Sequence, residues 1–422
     1  MPDASTGASQ PPAGLPSADA LIGQILCGRS VEWPYGPDPA AVDRFLDAAR
    51  LHDVQPLLHQ RLRAADWVGR WPIEVAERLA EAAGAQAALE CLRHEELAHV
   101  LHTLSDRGLS PLLMKGAALA HTHYASPALR PRGDTDLLVR PEARVAARGA
   151  LEDLGYEPVN VTSGALVSYE FTMKKTDRWG VEHLVDVHWR VNNRQAFAWT
   201  LSHDELAAAA VNVAVLGARV LAPAHALLLA CMHRVTHFGA PFFDGGRPRF
   251  GDRLIWLYDI HLLASAMPRT ESTEFARLAV DRGMAGVCLD GLSRAADVFA
   301  TELPADLVAG LIAASKTEGG ASLLAHGQLA AMAHDLRTLP RWRDRLRLVL
   351  EHLLPPADYM RRKYPAHGRA WLPWLYLRRA AVGGWGLLWQ AARLAQSADP
   401  TDAAGPSGSG EPDRTPPDGR RD

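Results

Sequence analysis

The chain is predicted to be an α/β (α+β) protein: one mixed sheet flanked by an N-terminal helical region and a C-terminal helical domain. Three observations predict this. Residues 18–108 and 200–395 repeat apolar positions at three- and four-residue spacing, with few β-branched residues, as helices do. Between them, residues 109–155 alternate two short apolar runs with two helical stretches, a strand–helix–strand–helix order. YEPVNV, ALVSYEFTMKK and VEHLVDVHWRV then read as three strands of a meander.

The elements follow in order. Residues 1–17 are rich in Pro, Ser, Gly and Ala and are expected to form a disordered tail. AAVDRFLDAARLHDVQPLLHQRLRAA and PIEVAERLAEAAGAQAALECLRHEELAHVLHTLSDRG supply the first helices, with Gly108 placed to end the last. The expected catalytic core, 109–199, opens with LSPLLMK (109–115), a buried strand. Gly116 follows, then the helix AALAHTHYA, the loop SPALRPRG and the strand DTDLLVR. Pro141 and Glu142 open the helix PEARVAARGALEDLG, which Gly155 closes. TDRWG turns the chain between the last two meander strands. After residue 200 the pattern is helical, in LSHDELAAAA, PAHALLLACMHRVTHF, DRLIWLYDIHLLASA and TEFARLAVDRG. From 396 to 422 the composition is again that of a disordered tail.

Composition narrows the function classes. A net charge of -3 gives no general attraction to nucleic acid, which disfavours tRNA as a partner. Cys27, Cys91, Cys231 and Cys288 show no CxxC spacing, which argues against a zinc knuckle or disulfide framework and fits a reducing, cytoplasmic setting. The N-terminus has neither the basic nor the apolar region of a signal peptide. No apolar run is long enough to predict a membrane span.

The chemistry centres on RPRGDTDLLV, residues 130–139. In a strand, side chains two apart point to the same face, so Asp134 and Asp136 project together. Two carboxylates side by side repel unless a cation joins them or one is protonated. Magnesium suits the place, with manganese as a substitute: it takes oxygen ligands and completes its shell with substrate phosphates. Asp186, a charge between Val185 and Val187, is the expected third acid, since an unpaired charge in an apolar strand is otherwise costly. Three such acids can hold two metal ions. His188 shares the face of Asp186 and is a candidate for nucleotide contact, for orienting a ligand or for accepting a proton. At the strand-to-helix turn Met114-Lys115-Gly116, the Gly116 backbone and the Lys115 ammonium can meet a polyphosphate. Arg130 and Arg132 offer planar forks to the same phosphates, or form a plain surface pair.

This arrangement resembles the nucleotidyltransferase fold of the DNA polymerase β superfamily. More closely, MKGAALAHTHYASPALRPRGDTDLLV followed by VDVHW resembles an uncharacterised bacterial nucleotidyltransferase family of polysaccharide and peptide natural-product gene clusters. PAHALLLACMHRVTHFG, DRLIWLYDIHLLA and LPPADYMRRKYP extend the resemblance to about residues 20–390. It implies that Asp134, Asp136 and Asp186 are metal ligands and that Lys115-Gly116 binds the triphosphate of an NTP such as ATP. The wider superfamily has Gly-Ser where this chain has Lys-Gly, so nucleobase preference does not carry over. The acceptor is open among sugar, lipid, peptide and protein. A metal-dependent phosphohydrolase and a non-catalytic nucleotide sensor or adaptor are the rival readings.

Other features remain ambiguous in sequence. His233 and His237 share one helix face but lack the glutamate of HExxH, leaving core packing or a place in the cleft. His121 and His123 read as structural. Asp252 and Asp259, seven apart, are expected on one helix face, lining the cleft or capping the helix. RWRDRLRLVLEHLL, YMRRKY and the tryptophan-rich stretch carrying Trp385 and Trp389 are basic. They read either as helices packed on the body or as a peripheral membrane or partner contact.

Overall fold

A computed structural model of the chain describes residues 15–381, apart from 66–68, 160–163, 239–241, 245–246, 250, 319–322, 325–327 and 365–370. Most of the two expected tails, and the stretch carrying Trp385 and Trp389, lie outside the described residues.

Four helices come first: α1 (Ala18–Leu26), α2 (Pro39–Leu51), α3 (Gln55–Ala64) and α4 (Ile73–Asp106). Their starts follow from local chemistry. Ser17 caps α1 by accepting the Ala20 N–H, and Asp38 caps α2 just before Pro39. Gly108 and Gly155 take positive φ (71° and 85°) directly after α4 and after the helix that follows strand two, as their positions predict. The helices beside the sheet are α5 (Lys115–Thr122), α6 (Arg144–Asp153), α7 (Gln195–Ala198) and α8 (His203–Ala209). The later helices are α9 (Pro223–Phe238), α10 (Leu254–Ala266), α11 (Arg269–Asp281), α12 (Ala285–Phe299), α13 (Ala305–Ser315), α14 (Gln328–Thr338), α15 (Trp342–Leu353) and α16 (Ala357–Lys363).

The sheet holds β1 (Leu112–Met114), β2 (Thr135–Leu138), β3 (Glu157–Pro158), β4 (Glu170–Thr176), β5 (Glu182–His188), β6 (Val211–Val213) and β7 (Ala218–Val220). Their order is β3-β4-β5-β2-β1-β7-β6. β2 runs parallel to β5 and antiparallel to β1, and β3, β4 and β5 form the antiparallel meander. Strands β6 and β7 come from a region read as helical. β7 is short and joins parallel to β1, and Gly217, at φ 58°, makes the tight turn before it. Runs this brief give too little alternation to be read from sequence.

Two cores meet at the sheet. On one face Leu113, Leu137, Val185, Val187, Phe171 and Met173 pack against Leu97, Val100 and Leu104 of α4 and Ala147 and Leu151 of α6. The second core lies mainly among the helices. It joins Leu21, Phe45, Leu58 and Val75 of the N-terminal helices to Leu228, Ile255, Phe275 and Leu292 of α9–α12. The two helical regions, distant in sequence, therefore form one helical body. Met114 and Leu138 contribute to it from the sheet's other face. None of the described helices is long and apolar enough to cross a membrane.

Candidate active site

The register of three strands assembles the acids. Asp136 of β2 is the direct neighbour of Asp186 of β5, and Glu170 of β4 is the direct neighbour of His188. Alternation puts all four on the face opposite the α4–α6 core. Ligand atoms of Asp136, Asp186 and His188 lie within 4.8 Å of one another, close enough for one cation. Asp134 stands just ahead of β2. It lines the same cavity but is not a member of that compact group.

The cations around Asp136 are as specific as the acids. Lys115 Nζ donates to Asp136 Oδ1 at 2.5 Å, and His188 Nε2 lies 2.8 Å from the same oxygen. His188 Nδ1 faces Glu170 Oε2 at 2.9 Å. Burial and the Lys115 charge oppose protonation of His188, but the two carboxylates outweigh them and hold it near 9. Burial likewise opposes charge on Lys115 and on Asp136, yet their pairing prevails, raising Lys115 and lowering Asp136. Glu170 is held at about 2, since the His188 contact overcomes burial. Asp134 is pushed up to about 6, first by Asp136, then by burial and Asp186. Burial also raises Asp186. Four carboxylates against two cations leave two negative charges in excess when all are ionised.

This excess fits a divalent cation, and one further observation supports it. Asp186 Oδ1 is buried without a hydrogen-bond partner, a costly state for a carboxylate oxygen unless something binds it. Hard oxygen donors of this kind suit magnesium or manganese.

Lys115 enters α5 with φ 51°, a left-handed conformation rare outside glycine. That turn bends its ammonium back over β2. Gly116 lies beneath the Arg130 guanidinium: a Cβ there would meet it at 3.4 Å, an ordinary van der Waals contact, so this packing alone does not demand glycine.

The two arginines depart from the expectation of free forks for phosphate. Arg130 is buried and grips Asp259 of α10 with two bonds, Nε–Oδ1 at 2.9 Å and Nη2–Oδ2 at 2.7 Å. Tyr124 also donates to that carboxylate, at 2.7 Å. Arg132, equally buried, donates to Glu90 at 2.9 Å and to Thr135 at 2.8 Å. Both line the cavity, but their principal donors are taken by the protein. Asp252 and Asp259 do not share a helix face: α10 begins at Leu254, and Asp252 pairs with Arg234 instead.

The cavity over the acids measures about 520 Å³, a size suited to a small-molecule substrate. Lys115, Gly116 and the acids line it on the sheet side, and α9 and α10 wall the other. His233 and His237 belong to that wall. Their rings lie 4.4 Å apart, each 5.7 Å from Trp256. Burial keeps both neutral, His237 at about 4. Of the histidines read as structural, His123 lines the cavity too, whereas His121 faces Glu90 behind it. The residue missed in sequence is Glu170. Its signal was the one that revealed Asp186: a charge between two apolar strand residues, here Tyr169 and Phe171.

Residues 38–300 match a family described as uncharacterised nucleotidyltransferase. No curated protein matches the chain. Because the matched span runs from α2 through α12 and takes in every strand of the sheet, the chain belongs to this nucleotidyltransferase family and is a nucleotidyl-transferring enzyme.

Proposed function

We propose that the protein moves a nucleoside monophosphate from an NTP to an acceptor hydroxyl, in a divalent-metal-dependent reaction. The acceptor oxygen–Pα bond forms, the Pα–O–Pβ bond breaks, the acceptor loses its proton and pyrophosphate leaves. The supporting observation is the convergence of Asp136 and Asp186 from paired strands, with Asp134 beside them, under a cavity lined by Lys115 and Gly116.

Asp134, Asp136 and Asp186 are the residues that would hold magnesium or manganese. The ion would supply charge for the α-phosphate and lower the pKa of the attacking hydroxyl. His188 serves a different role from the acids. Both its nitrogens face carboxylates, so it acts as a donor that fixes Asp136, braced from behind by Glu170. Lys115 neutralises Asp136. It is placed to exchange that carboxylate for the terminal phosphates, beside the Gly116 backbone. Asp186, which would hold the ion nearest the acceptor, helps remove the acceptor's proton.

The test is incubation with α-labelled NTPs, magnesium and cell extract. The expected result is labelled acceptor with equimolar pyrophosphate. Asp136→Asn and Asp186→Asn should each lower turnover at least about a hundredfold, with the fold retained by circular dichroism. Free nucleotide without labelled acceptor would make the protein a hydrolase. Unchanged turnover in both variants would remove these acids from the reaction.

A further inference from the structure

Helix α15 is built with two faces. Leu348, buried, seats it on the body, where Glu351 accepts the Leu166 N–H at 2.8 Å. Trp342, Leu346 and Leu350 recur every four residues and Leu353 follows three later, so they share the opposite face. A surface helix ordinarily turns polar residues outward. Here these four, with Leu354, are between 45% and 68% exposed. Charge is sorted around the stripe. Arg343 and Arg347 flank one edge and Arg341 and Arg345 the other, while Asp344 and Glu351 fall toward the body side. The asymmetry is regional: residues 341–379 hold ten Arg or Lys and three Asp or Glu, a net of +7 in a chain of net -3.

We propose that α15 docks the protein on an anionic lipid surface, with the Trp–Leu stripe in the headgroup–acyl boundary and the arginines on the headgroups. Aliphatic side chains gain by leaving water for acyl chain, and each nearby arginine adds electrostatic attraction. Nucleic acid would match the charge but leaves four leucines without a role, because single-stranded bases stack on aromatic rings. The inference stands apart from the reaction, since no residue of α15 lines the catalytic cavity.

The test is co-sedimentation of the full chain with phosphatidylcholine vesicles, with and without phosphatidylglycerol. Binding is expected only with the anionic lipid and should fall as salt rises. Arg343→Gln should weaken partition about fivefold. The double variant Leu346→Glu, Leu350→Glu should abolish binding with an unchanged Tm, and Trp342→Ala should weaken it. Absence of binding to anionic vesicles overturns the proposal. So does binding that the double variant leaves intact, or competition by RNA that the leucines do not affect. A self-association that the double variant dissolves, without vesicle binding, would show a second copy covering the stripe instead.

Discussion

Lys115 is where backbone and charge pull against each other. A left-handed φ at a non-glycine residue costs on the order of 1–2 kcal/mol, yet it aims the ammonium at Asp136. Removing the side chain should expose that cost. Lys115→Gly is expected to be more stable than Lys115→Ala by about 1–2 kcal/mol, read from urea unfolding, while both bind NTP more weakly. Equal stability of the two would show that the turn carries no strain. At this scale the sequence was informative wherever chemistry betrayed itself locally. Asp136 and Asp186 announced themselves as charges in apolar runs, and Lys115-Gly116 as a turn between strand and helix. Glu170, between Tyr169 and Phe171, carries the same mark. Its partner His188 is supplied by the next strand.

Among elements, the link between β2 and α10 has the largest consequence. Arg130 stands five residues before the acidic strand, and Asp259 lies 129 residues later. The pair joins the sheet to the helical wall of the cavity. Neutralising one partner leaves the other charge buried, so Asp259→Asn should cost about 3–5 kcal/mol in denaturant unfolding. Loss of less than about 1 kcal/mol would mean that water screens the pair. This link was illegible in the sequence for a physical reason. An arginine beside two aspartates looks like a phosphate ligand until a distant carboxylate is seen to claim it. Strands β6 and β7 are hidden likewise, because three residues held by pairing to a neighbouring strand, β7 to β1 and β6 to β7, leave no periodic trace of their own. The helices, with longer repeats and recognisable caps, were the readable part.

The whole molecule should be most stable near neutral pH when no divalent cation is added. His121 and His237 are held at about 4, against an ordinary 6.5, first by burial. Their neutral state therefore favours the fold above 6.5. Below it the unfolded chain takes up protons first, and stability falls as the pH drops toward 4. His188 works with the opposite sign. Held near 9, it contributes fully below 6.5 and loses its contribution as the pH rises through 9. Asp134, at about 6, offsets part of the acid-side loss, because protonation relieves its repulsion from Asp136. Urea unfolding from pH 4.5 to 9.5 should show a maximum, and His121→Gln should flatten the acid limb. A monotonic profile would contradict this assignment of charge states.

The helical core shared by the two ends of the chain has a consequence for how the protein is made. Arg253 donates to the Leu51 carbonyl and His52 accepts the Leu254 N–H, each across 202 residues. A nascent chain leaving the ribosome presents α1–α3 long before α9–α12 exist to cover them. The apolar faces of those first helices must wait, exposed or chaperoned, until most of the polypeptide has been synthesised.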